Sequence, residues 1–283
     1  MTLPAISTVS LPDPGLFGPD SVTWRIHGDL SMALGGLRAL LLQALHPLAM
    51  AGVSEHSDFR TDPWGRLLRT AEYVATVTYG TTDEARRAGA RVRGVHRRLH
   101  GVESESGTPY QVSDPHLLLW VHCAEVDSFL TAYRRCGARL RRGQGDAYLV
   151  EQVRAAALVG IDPSQVPTST GALRQYFESM RPELRVTAAS RRALMFVLRP
   201  PMPLPAQPAR PAWVGLASIA FGLLPGWARR MYGPAAVTAL PGSDLVAGLA
   251  GRSVRAAAHL VPLSIRESPA RRAAYARLAV GTG

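Results

Sequence analysis

The sequence predicts an all-α protein built as a single, mainly helical domain. In one segment after another, apolar residues recur at intervals of three and four, the spacing that places side chains on one helix face. Many of these segments follow a helix start signal, which is a Ser, Thr or Asp residue. At Asp62 and Asp114 the next residue is proline, which favours the first position of a helix. The glycine fingerprints of Rossmann and P-loop nucleotide-binding folds do not occur.

Length and composition favour one large domain over two small ones. With 283 residues, 47% of them hydrophobic, the chain can bury a sizeable core. We expect an extended lead-in at residues 1–20, a helical core at 21–200, a semi-rigid, extended proline-rich linker at 201–211, and C-terminal helices at 212–283 packed on the core.

The charge balance is basic, with 32 Lys+Arg against 21 Asp+Glu and a net charge of +11. Such a charge suits nucleic acid, an anionic membrane surface or an acidic ligand. The arginines, however, are scattered along helical segments, and no nucleic-acid recognition motif or interleaved aromatic platform accompanies them. We therefore expect no nucleic-acid partner.

Cysteine usage and the N-terminus both suggest a cytoplasmic protein. Cys123 and Cys136 are thirteen residues apart in one predicted helix, which separates them by roughly 20 Å. They cannot pair within an unbroken helix, so we expect two reduced core thiols. The first residues lack the basic and apolar regions of a secretory signal. The uncharged run at residues 211–228 raises the alternatives of a core or lid helix and of peripheral membrane contact.

Residues 66–101 gather more potentially chemical side chains than any other stretch. Asp62 and Pro63 predict the start of a helix in which Arg66 and Thr70 share a face. A purely structural alternative bonds Thr70 to the carbonyl four residues earlier and pairs Arg66 with Asp62. Residues 82–85 begin a second helix that we expect to run to His100.

Histidines supply most of the other candidate ligands. His96 and His100 share a face of the second helix, whose other inward residues are small or apolar and suit a flat ligand. The proline after His46 breaks the buried helix predicted at residues 35–53. His46 and His56 lie on either side of this break, and each either caps a helix end or lines a substrate pocket. His122, on a helix predicted from residue 116 to about 139, either lines a pocket or makes a buried hydrogen bond. His27 is expected to be structural.

Five runs of the sequence together resemble one known family. They are HPLAMAGVSEHSDFRTDPWGRLLRT (46–70), YGTTDEA (79–85), RVRGVHRRLHG (91–101), YQVSDPHLLLWVH (110–122) and LPGWARRMYG (224–233). In order and spacing they are similar to the MpaB-type oxygenases and latex-clearing proteins. The resemblance implies a helical domain that holds haem b between helices and uses O2 on lipophilic, apolar small molecules. One reaction that it implies is cleavage of carbon–carbon double bonds.

The resemblance also implies roles for particular residues. Arg66 and Thr70 match the family's Arg-x-x-x-Thr pair, and His96 matches the histidine that ligates the haem iron in the rubber-cleaving branch. Arg69 stands where that branch has a lysine; a guanidinium stays protonated and cannot ligate iron. The catalytic candidates are then Arg66, Arg69 and Thr70. The haem-binding candidates are His96 as the metal ligand, with Arg66, Thr70, His122 and His46.

Two other functional classes remain alternatives. One is a non-catalytic helical protein that binds an apolar ligand or docks on a membrane surface. The other is a non-haem iron or zinc hydrolase built from His96, His100 and His122. His122 and Glu125, three residues apart, are possible ligands of a di-iron bundle, but the two Glu-x-x-His motifs and two further glutamates that such a bundle needs do not occur. A serine hydrolase is disfavoured because no Gly-x-Ser-x-Gly elbow occurs.

Overall fold

A computed structural model describes residues 12–56, 62–233, 244–260, 262 and 267–279. This part of the chain folds into thirteen α-helices with one small hairpin, which confirms the all-α prediction. The helices are α1 Val22–His27, α2 Met32–Gln43, α3 Pro47–His56, α4 Pro63–Tyr79, α5 Thr82–His96, α6 Pro115–Arg135, α7 Gln144–Val159, α8 Thr170–Met180, α9 Ala188–Leu198, α10 Arg210–Gly222, α11 Gly226–Met231, α12 Asp244–Ala258 and α13 Pro269–Ala279. The hairpin pairs β1 His100–Val102 with β2 Pro109–Gln111.

The helix starts follow the predicted signals. Asp62 accepts a hydrogen bond from the Gly65 amide at 2.9 Å, and Asp114 accepts one from the His116 amide at 2.9 Å. In α5 the cap is Thr81, one residue before the predicted segment, and it forms a reciprocal capping box with Glu84. Side-chain caps satisfy amides that have no partner within the helix, so short polar residues determine where these helices begin.

The end of α5 differs from the prediction. The helix stops at His96, and His100 lies in β1, where it pairs with Gln111. The amide of Val112 donates to the Leu99 carbonyl, so long-range pairing replaces the last predicted helical turn. The prediction that this helix runs to His100 is wrong, and His96 and His100 therefore do not share a helix face, which removes support from the alternative metal site that uses both. The polar residues between Gly101 and Gln111 form the rest of the hairpin.

Helix α2 is the centre of the core and packs along α6. Leu41, Leu42 and Leu45 are fully buried. Arg38 is also buried, with 2% of its side chain exposed, and it bonds to Asp127 at 2.7 Å, to Ser128 at 2.6 Å and to the carbonyl of Leu223 at 2.9 Å. One buried guanidinium thus joins α2, α6 and the end of α10. Both cysteines are buried and free, as predicted.

The close crossing of α2 and α6 depends on a glycine. A Cβ at Gly35 would lie 2.9 Å from the Phe129 ring and 3.2 Å from the Ser128 carbonyl oxygen, whereas a Cβ at Gly36 would meet nothing within 4 Å. We expect Gly35→Ala to lower the free energy of unfolding by about 1–3 kcal/mol through overpacking. The control Gly36→Ala should raise it by up to about 1 kcal/mol. Urea denaturation of both variants measures the difference, and equal effects would contradict the close crossing.

The C-terminal third packs as helices. The proline-rich segment is not extended, because residues Leu204–Ala209 form a 3-10 helix that leads directly into α10. The apolar run that follows is divided between α10 and α11, and Phe221, Leu224 and Ala228 are buried. Among the described helices, none alone has the length and hydropathy to cross a membrane; α2 and α3, bent by 108°, pass that test only as a pair. Of the predicted lead-in, residues 1–11 lie outside the described part.

Candidate active site

A cavity of about 520 Å³ lies between the helices. Helices α2 to α7, α9 and α10 all contribute to its wall, and its volume is in the range of roughly 300–1,000 Å³ that small-molecule and cofactor sites occupy. Most of its surface is apolar, including the side chains of Leu37, Leu40, Val74, Val92, Val121 and Val197. The few polar groups in this lining are therefore the candidates for chemistry.

Of the four histidines that line this cavity, two have a buried ring nitrogen without a partner: His96 on α5 and His122 on α6. His96 Nδ1 and His122 Nε2 are buried, and neither has a hydrogen-bond partner within the described residues. Burial lowers the pKa of His122 to about 4, and it also lowers the pKa of His96. Both rings are neutral at pH 7, so each has a nitrogen lone pair that can bind a metal. An unpaired buried nitrogen costs free energy, and two in one cavity indicate a ligand.

Three predicted catalytic residues of α4 border the same cavity. The pKa of the Arg66 guanidinium is lowered by burial and by the neighbouring Arg69 charge, and within the described residues it has no hydrogen bond. Arg69 is 56% exposed and bonds to Asp62 at 3.1 Å, so Asp62 pairs with Arg69 and not with Arg66. The Thr70 hydroxyl donates to the Arg66 carbonyl at 3.0 Å, as the structural alternative predicts. Arg66 is thus the cation available to a ligand.

Glu125 is a functional candidate that the sequence did not assign. It lines the cavity three residues after His122, on the predicted inward face of α6. Burial raises the pKa of its carboxyl group to about 7, so it can hold or release a proton near neutral pH. The only sequence signal is its spacing of three residues from His122, the same spacing on which the disfavoured di-iron alternative depends. A proton-exchanging group therefore faces a largely apolar cavity.

The remaining predicted histidines lie in different surroundings. His27 lines the cavity, but both of its nitrogens are satisfied, by Thr78 at 2.9 Å and Tyr148 at 3.0 Å, which fits the predicted structural role. His56 also lines it and contacts the carbonyl oxygen of His100 at 3.0 Å. His46 is not among the residues that line the cavity. It lies beside Glu183, and burial lowers its pKa to about 4.

The carboxyl group of Glu125 makes stability depend on pH. Its pKa of about 7 in the folded state exceeds its ordinary value of 4.5, so between these pH values the folded protein retains a proton that the unfolded chain releases. Stability from this group is complete below pH 4.5 and is lost as pH rises through 7. The buried histidines act in the opposite direction, since their lowered pKa values cost stability as pH falls below 6.5.

Substituting the carboxyl group separates these effects. Glu125→Gln keeps a neutral polar group of similar size, so the variant should gain stability relative to the wild type as pH rises from about 5 to about 8. Urea denaturation of both proteins, without added ligand, at several pH values measures this difference. A difference that does not change with pH would show that Glu125 has an ordinary pKa.

Comparison with known protein families identifies the domain. A family model described as the catalytic domain of ER-bound oxygenase mpaB/B' and rubber oxygenase matches residues 24–262. The chain belongs to this family. The match covers most of the chain. It includes His96, His122, Glu125 and the arginines of α4, so these polar residues of the cavity belong to the matched catalytic domain. No curated protein and no solved structure matches the chain significantly.

Proposed function

We propose that this protein is a haem-b-dependent oxygenase that acts with O2 on a lipophilic small molecule. One observation carries the proposal: in a largely apolar cavity, His96 Nδ1 and His122 Nε2 are buried and have no hydrogen-bond partner within the described residues. Its membership in an oxygenase family supplies the reaction class. Oxidative cleavage of a carbon–carbon double bond is the specific reaction that we propose, and the cytoplasmic location with peripheral membrane contact stays a prediction from the sequence.

The side chains around the cavity fit a haem. A histidine imidazole is a common axial ligand of haem iron, and His96 has an unpaired nitrogen in the cavity wall. Valine and leucine side chains provide apolar surface for the macrocycle. The guanidinium of Arg66, which has no hydrogen bond within the described part of the chain, can pair with a propionate, because guanidinium and carboxylate form two parallel hydrogen bonds.

The protein contributes binding, orientation and proton control to the reaction. Bound haem would supply the one-electron chemistry that activates O2. His96 would hold the iron, and the apolar wall would exclude water and bind the lipophilic substrate. The alternative to propionate pairing is that the Arg66 guanidinium would stabilise negative charge that develops in the reaction. Glu125 accepts or donates a proton at its carboxyl oxygen, since its pKa lies near neutral pH.

Absorption spectra test this proposal. The full chain, mixed with haemin and passed through a desalting column, should retain one haem per chain and show an intense Soret band. After reduction with dithionite, carbon monoxide should shift that band, because the proposed oxygenase needs an accessible coordination position. A matched sample without protein controls for free haemin.

Absence of bound haem would favour a different function. If no Soret band and negligible iron remain after desalting, the haem proposal is rejected. The apolar lining of the cavity then favours the non-catalytic alternative, a protein that binds an apolar ligand. Displacement of a fluorescent fatty-acid probe from the haem-free chain would measure that binding.

A further inference from the structure

Outside the cavity, three side chains from distant segments converge on one point. His46 lies between α2 and α3, His116 lies in the first turn of α6, and Glu183 ends the 3-10 helix Arg181–Glu183. His116 Nε2 is 2.8 Å from a Glu183 carboxylate oxygen, and His46 Nε2 is 3.7 Å from the same atom. One ligand atom from each residue lies within 4.8 Å of the other two.

The buried member of this cluster has an unpaired nitrogen. The His46 side chain is 2% exposed, and its Nε2 atom has no hydrogen-bond partner within the described residues. The 3.7 Å separation from Glu183 is too long for a hydrogen bond. On the other side of the ring, the Ala49 amide donates to Nδ1 at 3.5 Å, the outer limit of a hydrogen bond, so it favours the Nε2–H tautomer only weakly. An ion bound at Nε2 requires the Nδ1–H tautomer, and this change of tautomer breaks only that weak contact.

We propose that His46, His116 and Glu183 form a binding site for a divalent first-row transition ion such as Zn²⁺. Zinc binds nitrogen and oxygen ligands at about 2.0–2.2 Å in a tetrahedron, which places neighbouring ligand atoms about 3.3–3.5 Å apart. The observed separations of 2.8 and 3.7 Å lie on either side of that distance. The two histidine nitrogens lie within 4.8 Å of each other, so coordination requires side-chain rotations that bring them closer to this spacing.

The donor set and its exposure define the kind of site. Two imidazoles and one carboxylate leave at least one coordination position for water, as in zinc enzymes and non-haem iron centres. His116 is 46% exposed and Glu183 is 48% exposed, so the remaining position faces solvent. Exposure also allows the ion to enter without opening the core, while His46 anchors it from the buried side.

The backbone holds the third ligand near the other two. The Arg185 amide donates to the Leu45 carbonyl at 2.9 Å, which ties the segment after Glu183 to the residue before His46. The Arg185 side chain also pairs with the buried Glu103. A bound ion would join the turn between α2 and α3 to the start of α6 and to the chain after α8. Since α3 and α6 contribute to the cavity wall, the ion would stabilise that wall.

Calorimetric titration of the full chain with Zn²⁺ tests the site. The wild type should bind a Zn²⁺ ion that His116→Ala and Glu183→Gln each weaken at least about tenfold, because loss of even an outer-shell partner costs about 10–100-fold in affinity. His100→Ala and Glu178→Gln change an exposed histidine and an exposed carboxylate outside the cluster and should leave this affinity unchanged. Zn²⁺ should also raise the melting temperature of the wild type more than that of His116→Ala.

A further variant distinguishes this site from the cavity. His122→Ala removes an unpaired imidazole from the cavity and leaves the cluster intact. The proposal is overturned if His116→Ala and Glu183→Gln bind Zn²⁺ as tightly as the wild type, if His122→Ala alone removes binding, or if the wild type binds no Zn²⁺ at millimolar concentration. His116 and Glu183 are both half-exposed, so their variants are expected to fold.

Discussion

Replacing His96 by alanine should abolish stoichiometric haem binding, with an affinity loss of at least about 100-fold, whereas replacing His100 should not. The two histidines are four residues apart, but His96 lines the cavity from α5 and His100 lies in β1 with an exposed side chain. The iron loses its proposed protein ligand only in the first variant. The haem-to-protein ratio after gel filtration, together with the Soret maximum, measures the difference between the two variants.

The second cavity imidazole provides the critical comparison. His122→Ala should retain haem with a shifted spectrum, since it removes a neighbouring nitrogen and leaves His96 in place. If His96→Ala retained full haem with an unchanged spectrum while His122→Ala lost it, His122 would be the iron ligand. Circular dichroism of each variant verifies that the helices are intact, so that loss of haem is not mistaken for loss of the fold.

Replacing Arg38 by alanine should lower the free energy of unfolding by about 3–5 kcal/mol. The substitution removes three hydrogen bonds at once and leaves Asp127 without its cation. It also leaves the Leu223 carbonyl oxygen without the guanidinium, and an unsatisfied buried acceptor costs free energy. Urea denaturation with matched m-values measures the loss.

An exposed arginine provides the control for this substitution. Arg86 is 69% exposed and is 3.8 Å from Asp83, which is 74% exposed, so Arg86→Ala should change stability by less than about 0.5 kcal/mol. Equal effects of the two substitutions would mean that the buried ion pair contributes no more than a surface pair. Arg38→Lys should recover only part of the loss, because an ammonium group cannot reproduce the fork of three hydrogen bonds.

Local signals in the sequence were sufficient for most helix starts but not for every helix end. Asp62 and Asp114 cap helices through contacts that span three residues or fewer, and such contacts can be read directly from the sequence. The end of α5 depends instead on pairing between His100 and Gln111, eleven residues apart. For the residues just before Gly101, the local sequence fits a helix as well as it fits a strand. Only pairing with the partner strand decides between the two.

The candidate site shows the same limit. Arg66 and Thr70 were expected to border one pocket with His96, and they do, because a four-residue helical spacing determines a shared face. The pKa of Glu125 could not be predicted, since it depends on burial by helices distant in sequence. The cluster of His46, His116 and Glu183 was missed for a related reason: no spacing rule connects three residues separated by about seventy positions each.

The two cysteines give the protein an internal reporter of its own opening. Cys123 and Cys136 are its only thiols, and both are buried in the core, with Cys136 lying against Gly251 of α12. Burial raises the pKa of each thiol, so neither reacts as a thiolate while the core is closed. The rate of alkylation in native buffer therefore counts openings of the core, without any introduced label. A cofactor that binds only the folded chain lowers the fraction of open molecules, and so slows alkylation by a factor that grows with its concentration divided by its Kd. A colorimetric thiol assay can therefore measure ligand binding.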